Sequence, residues 1–161
     1  MERMRCALRT AIADSAGNDT VTLDRCIESA EHARGRAIKI RAVDLSETLV
    51  FGLWVDLPTH DLILVDRYAT PAHRGHIIEH ELGHILLGHR GTFPGDIEPA
   101  PDVMHRGAVL CRQSADAEIE HEAELFARLL RCELHKQQLR RCGSLESDSA
   151  RRLALSLGYR P

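Results

Sequence analysis

The stretch from Gly75 to His89, with the sequence GHIIEHELGHILLGH, constrains the fold more than any other part of the chain. Its many large aliphatic residues predict a mostly buried helix. On a helix, a spacing of four residues puts His80 and His84 on one face, one turn apart. Glu81 lies about 100° round from His80, at the edge of that face. Two imidazoles in this arrangement can bind one zinc ion, and Glu81 can take a proton from a water molecule at the metal.

The same short pattern also occurs by chance on helices that carry two histidines on a solvent-exposed face. In this chain, however, the pair stands among large aliphatic residues. Unpaired imidazoles would be costly to bury in such surroundings. We therefore interpret His80 and His84 as metal ligands.

The third ligand can be narrowed down by spacing. His76 would lie about 12 Å from His84 along the helix axis, too far to share an ion with bonds of about 2 Å. The long metzincin motif requires Gly and His at the positions that Leu87 and Arg90 occupy here, so that motif is absent. A carboxylate from a later helix is the remaining possibility.

A second helix with an apolar stripe is predicted over residues 117–130. Four glutamates lie on it at every second position, and such clusters are usually solvated helix faces. Together with the upstream histidines they also offer a ligand. Glu120 and Glu124 share one face, while Glu118 and Glu122 are the alternatives if the register slips.

The two segments HELGHILLGH and EHEAELFARLL together resemble the ImmA/IrrE family of bacterial metallopeptidases, which are gluzincin-like zincins. The resemblance covers roughly residues 36 to 130. It implies that Glu120 is the third metal ligand and that Glu124 supports a ligand histidine without binding the metal itself. Glu124 stands where the family usually has Asn or Asp. The proline that often follows the two leucines is replaced here by Arg131.

The resemblance also implies a function: a zinc-dependent endopeptidase that cleaves a helix-turn-helix repressor. No DNA-binding domain is recognisable in this chain, so a separate transcriptional repressor is the expected protein partner. Two alternatives remain at this point. One is a non-catalytic regulator that binds a transcription factor and uses metal only for folding, and the other is a toxin-type hydrolase of a toxin–antitoxin pair. The sequence does not choose between zinc and manganese.

Composition limits the remaining possibilities. A length of 161 residues predicts a single domain over residues 1–161. A net charge of -3 and an aromatic content of 4% argue against direct nucleic-acid binding. The five cysteines are odd in number and form no Cys-x-x-Cys pair, which favours reduced thiols and a cytoplasmic location. The first residues lack an apolar run long enough for a signal peptide, and no run is long enough to cross a membrane, so we expect a soluble protein.

The elements predicted upstream of the metal helix indicate an α+β fold. A helix over residues 3–14 precedes a second one that Asp19 or Thr20 caps and Gly35 ends. Three strands follow over residues 37–43, 49–57 and 62–66, the last two forming an antiparallel hairpin. Thr70 and Pro71 then begin the metal helix. We expect a small zincin-like domain, with a three-stranded sheet packed on the zinc-binding helix and further helices on either side.

Several expectations concern the rest of the chain. Residues 88–115 form a long irregular segment, either a flap beside the cleft or an insertion without a role. Candidates for stabilising an oxyanion are His105, Arg106, Tyr68 and His121. An exposed strand edge could pair with an extended peptide. The second ligand helix is predicted to end near Gly143, with a last helix over residues 144–157.

Overall fold

The computed structural model describes residues 1–13, 21–46, 50–90 and 117–156, with side chains up to residue 139 in the last segment. This part of the chain contains four helices and three strands, so the predicted α+β class is confirmed. In chain order the elements are α1 (Glu2–Ala11), α2 (Leu23–Arg34), β1 (Ile38–Val43), β2 (Gly52–Asp56), β3 (Asp61–Asp66), α3 (Pro71–Leu86) and α4 (Ala117–Ser156).

The beginnings and ends of the helices follow the local sequence. α3 begins as predicted, because the Thr70 side chain accepts a hydrogen bond from the His73 N–H and Pro71 occupies the first turn. α2 also ends as predicted at Gly35, which has a φ of 65°. The predicted cap of α2 is wrong, since Thr22 accepts from the Arg25 N–H. The two residues proposed for that role, Asp19 and Thr20, lie outside the described residues.

The sheet has the strand order β1-β3-β2. β2 and β3 are antiparallel, which confirms the predicted hairpin, while β1 runs parallel to β3. Every residue of the central strand β3 is buried. One face of the sheet packs with the helices in the main core, around Trp54, Ile63, Leu82 and Phe126.

A buried carboxylate fastens α2 to the sheet. Asp61, at the start of β3, is fully buried and accepts from Arg34 Nε at 2.8 Å and from Trp54 Nε1 at 2.9 Å. Arg36 Nε lies 3.4 Å from the same carboxylate. The two donors and the Arg36 ion pair come from the end of α2, β2 and the segment after α2, so one side chain joins three parts of the fold.

The last helix differs from the expectation. We predicted that it would end near Gly143, but α4 runs without interruption from Ala117 to Ser156. A glycine inside a helix costs only about 1 kcal/mol relative to alanine, and no proline stands in this segment to break it. None of the described helices has the run of apolar side chains that a bilayer-spanning segment needs.

The long segment predicted over residues 88–115 falls almost entirely outside the described residues. Only Gly88, His89 and Arg90 belong to the part that can be described. The oxyanion candidates His105 and Arg106 lie in the undescribed part.

Candidate metal centre

α3 and α4 bring three potential ligands together. His80 and His84 stand one turn apart on α3, and their Nε2 atoms are 3.1 Å apart. Glu120, in the first turn of α4, places one carboxylate oxygen 3.3 Å from His80 Nε2 and the other 3.6 Å from His84 Nε2. In the described part of the chain, this is the group whose ligand atoms all lie within 4.8 Å of one another.

The spacing of these atoms can be compared with that of a metal site. Zn–N and Zn–O bonds of about 2.0–2.2 Å in a tetrahedron separate neighbouring ligand atoms by about 3.3 Å. The three distances of 3.1, 3.3 and 3.6 Å lie close to that value. Two imidazoles and one carboxylate are also a donor set typical of catalytic zinc sites, which keep a fourth position open. The three ligand atoms therefore lie close enough together to hold one metal ion.

Glu81 lies on the side of α3 that faces the sheet. Its side chain is buried, and the backbone N–H of Trp54 on β2 donates a hydrogen bond to it. Burial raises the pKa of Glu81 above its usual range, although His80 and His84 oppose this shift. A carboxylate with a raised pKa is suited to exchanging a proton near neutral pH.

β2 approaches Glu81 closely because residue 52 is glycine. A Cβ atom at Gly52 would collide with Ile77 Cγ2 and would lie 3.2 Å from Glu81 Oε1. This close approach was not predicted. A small residue inside a predicted strand was the available signal, since glycine often marks a close approach of two backbones or elements.

The charges of the three candidate ligands are coupled. Hydrogen bonds with His80 and then with His84 hold the pKa of Glu120 well below its usual range. Burial alone would lower the pKa of His80, but Glu120, Glu81 and Glu124 outweigh it and raise that pKa. The site is thus a concentration of negative charge around two imidazoles, which favours a cation between them.

Glu124 lies near His80 but not within hydrogen-bond distance of it. Its Oε2 atom is 3.8 Å from His80 Nδ1 and 3.1 Å from His76 Nε2. Its other oxygen accepts from Arg128 Nε at 2.7 Å. His76 thus contacts Glu124 rather than the three ligand atoms, as the spacing argument expects. The supporting role of Glu124 towards His80 stays a prediction.

The other two candidate glutamates and the described oxyanion candidates lie outside the group of three ligands. Glu122 does not join the ligand group and instead contacts His89, with Oε2 at 3.1 Å from His89 Nε2. Glu118 and His121 are exposed on α4. The Tyr68 side chain is exposed, and its hydroxyl lies 3.4 Å from Asp44 Oδ2.

His89 contacts a candidate ligand, which the sequence analysis did not foresee. Its Nδ1 atom lies 3.0 Å from Nδ1 of His84, on the side of that ring away from the site. The chain turns back here because Gly88 adopts a φ of 68°. The His89 N–H then bonds to the His84 carbonyl and the Gly88 N–H to the Ile85 carbonyl, the pattern of a Schellman motif. The Gly-His pair directly after the predicted helix was the usable signal.

Two contacts hold α4 against α3 beside the site. Gly83 lets the helices approach closely, since a Cβ there would lie 3.1 Å from the Ala123 carbonyl oxygen and from Phe126 Cδ1. One turn earlier, Arg131 Nη2 lies 2.8 Å from Oε2 of the buried Glu79. These contacts pack α3 against α4 beside His84 and Glu120.

Comparisons with known proteins do not assign this chain to a family. No family model, no curated protein and no solved structure matches it. The function must therefore be inferred from the site itself.

Proposed function

We propose that this chain is a zinc-dependent endopeptidase of the zincin kind. The observation that carries the proposal is the convergence of Glu120 from α4 with His80 and His84 from α3, at distances of 3.1 to 3.6 Å. The buried Glu81 stands beside this group, as a general base requires. The resemblance of the two motifs to the ImmA/IrrE metallopeptidases agrees with this assignment.

In the proposed reaction His80, His84 and Glu120 hold the ion. When bound, zinc supplies Lewis acidity, which polarises a peptide carbonyl and lowers the pKa of water towards about 7. Glu81 accepts the proton of the attacking water and passes it to the leaving amine. The Trp54 N–H donates to the Glu81 carboxylate and so helps to orient it beside β2.

β2 is an edge strand of the sheet that the described residues form, and its outer edge is the proposed peptide-binding surface. In an antiparallel pair, successive residues alternate in pointing their backbone groups to the partner strand. The Asp66 N–H donates to the Phe51 carbonyl, and the Leu57 N–H donates to the His60 carbonyl. Residues 51 and 57 therefore point their backbone groups towards β3, and by alternation Trp54 points its own away from β3. The Trp54 N–H is already bonded to Glu81, so an extended peptide would pair with the other outward-facing backbone groups of this edge, beside Glu81.

The proposed substrate is a regulatory protein, a separate helix-turn-helix repressor, and the proposed location is the cytoplasm. Both follow from the resemblance and from the reduced-thiol composition. The described cysteines, Cys6, Cys26 and Cys132, are free thiols.

Metal analysis tests the proposed ligands. The purified protein should contain about one zinc per chain, and Glu120→Ala should lose stoichiometric metal. Glu133→Ala is the matched control, because Glu133 lies on the same helix and pairs with Lys136 at 3.4 Å. Equal metal content in all three proteins would refute the ligand set, and manganese in place of zinc would change the identity of the ion.

Glu81→Gln tests catalysis separately. We expect this variant to keep its zinc and its fold but to lose cleavage by a factor of about 100 to 10,000, the usual contribution of a general base. Suitable probes are a library of internally quenched peptides and the helix-turn-helix proteins encoded near the gene. A non-catalytic regulator would bind such a repressor equally well with either residue and would cleave nothing. Cleavage of peptides but of no repressor would favour a different target protein.

A further inference from the structure

We propose that His89 and Glu122 are positioning residues that hold His84 in the tautomer needed for metal binding. This inference rests on the proposed metal site. It assigns a role to two residues that touch neither the ion nor the substrate, and that role is not implied by the sequence motifs.

The contacts form a chain that leads away from the site. His84 points Nε2 towards Glu120 and Nδ1 towards His89 Nδ1, which lies 3.0 Å away. His89 then points its other nitrogen, Nε2, at Glu122 Oε2, 3.1 Å away. Arg3 Nη2, on α1, lies 3.7 Å from the same Glu122 oxygen and donates to the Leu87 carbonyl. The series of contacts therefore ends at α1.

The hydrogen atoms in this series of contacts can be assigned by starting from His84. A His84 ring that binds metal through Nε2 carries its hydrogen on Nδ1. His89 Nδ1 must then accept that hydrogen, which leaves the hydrogen of the neutral His89 ring on Nε2. This hydrogen points at Glu122, a carboxylate that can only accept. Both donors therefore meet an acceptor, and the direction of the two hydrogen bonds agrees with metal binding through His84 Nε2.

The other tautomer of His89 would be unfavourable both at Glu122 and at His84. If His89 carried its hydrogen on Nδ1, its Nε2 atom would face the Glu122 carboxylate without a donor between them. His84 would then have to accept at Nδ1 and would carry its hydrogen on Nε2, where the metal binds. Glu122 thus selects the His89 tautomer, and His89 selects that of His84. Partners of this kind typically change metal affinity by a factor of 10 to 100 when they are removed.

The backbone holds His89 in place. The Schellman motif at Gly88 bonds the His89 N–H to the carbonyl of His84 at 3.0 Å, so His84 and His89 are joined through both backbone and side chain. His89 is also buried, with 8% of its surface exposed. Burial keeps bulk water from replacing the imidazole as the acceptor for His84.

Zinc affinity, measured by competition with a chromophoric chelator, tests the proposal without any substrate. We expect His89→Leu and Glu122→Ala to bind zinc 10 to 100 times more weakly. His89→Gln and Glu122→Gln keep an acceptor oxygen and should recover part of the loss. The matched controls are His135→Gln and Glu133→Ala, which lie on the far part of α4 and should bind zinc normally. Thermal unfolding of the metal-free variants shows whether each one folds.

Nitrogen-15 NMR of the zinc-loaded protein reads the tautomers directly. We expect the hydrogen on Nδ1 of His84 and on Nε2 of His89. A hydrogen on Nδ1 of His89, or normal zinc affinity in a folded His89→Leu variant, would overturn the inference and leave the proposed function intact. A wild-type protein that binds no metal would overturn both. A protein with the expected tautomers and affinities that cleaves nothing would overturn only the peptidase.

Discussion

Asp61 shows how much of this fold depends on single buried charges. Its carboxylate accepts from Arg34 and Trp54, and Arg36 lies within ion-pair distance. We expect Asp61→Asn to lower the free energy of unfolding by about 3 kcal/mol, because the two arginines lose their carboxylate in a buried setting. Urea denaturation measures this change.

The matched control for Asp61 is Asp56→Asn. Asp56 pairs with Arg36 at 3.0 Å, but 44% of its side chain is exposed. Exposed pairs contribute only about 0–1 kcal/mol. If both substitutions cost the same, the special role of the buried carboxylate is refuted.

Cys26 is expected to be inert in the folded protein. Burial, and after it the charge of Glu79, raises the pKa of its thiol from 9.0 to about 12. The thiolate is the reactive form. Alkylation at pH 8 followed by peptide mapping should therefore modify the exposed Cys6 and Cys132 and spare Cys26 until the protein unfolds.

The raised pKa of the Cys26 thiol should make the stability of the folded state fall as the pH rises. Below pH 9 the group is neutral in both the folded and the unfolded state. Above pH 9 only the unfolded chain ionises, so the stability contributed by Cys26 is lost as the pH rises towards about 12. The stability difference between wild type and Cys26→Ala should shift against the wild type by up to about 1.4 kcal/mol per pH unit in this range. A constant difference would contradict the prediction.

At the residue scale, the sequence predicted what spacing on one helix determines. His80 and His84 share a face because of helix geometry alone. Glu120 came from a resemblance, and its convergence with them depends on how α4 packs. The Asp61–Arg34, Glu79–Arg131 and His89–Glu122 pairs were not predictable, since each joins residues that are remote in sequence and that only the packed core brings together.

At the scale of elements, the packing of α3 on α4 depends on Gly83. We expect Gly83→Ala to destabilise the protein by about 1–3 kcal/mol, because the new methyl group meets the backbone of Ala123, which cannot move aside easily. It should also weaken zinc binding, since Ala123 lies three residues after Glu120. Thermal unfolding and chelator competition measure the two effects.

Gly75→Ala is the matched control on the same helix. A Cβ at Gly75 would meet only the end of the Arg131 side chain, at 3.7 Å. Alanine is a better helix former than glycine, so this variant should gain up to about 1 kcal/mol. Equal losses at both positions would indicate a general intolerance of α3 to substitution rather than close helix packing.

Local signals predicted the elements better than their pairing. The Thr70-Pro71 start, the Gly35 end and the hairpin all follow from residues within a few positions of one another. The parallel pairing of β1 with β3 joins distant segments, and no short pattern specifies it. The predicted end of α4 near Gly143 was wrong, because one glycine only weakens a helix and does not end it.

At the scale of the whole molecule, the proposed ion joins two segments that are remote in sequence. Zinc binding should therefore stabilise the folded state by RT ln(1 + [Zn]/Kd), or about 2.7 kcal/mol at a free zinc concentration 100 times Kd. We expect the melting temperature to rise on adding zinc and to fall after chelation. Glu120→Ala should not respond to zinc, and a zinc response that survives in this variant would place the stabilising ion elsewhere.

The close contact at Gly83 has a consequence for the choice of ion. Close packing of α3 on α4 at Gly83 limits the distance between the candidate ligands on the two helices. A larger side chain at this position would lengthen that distance and favour a cation of greater radius, such as cadmium, over zinc. Metal selectivity in this chain would then be set by an uncharged residue that never meets the metal.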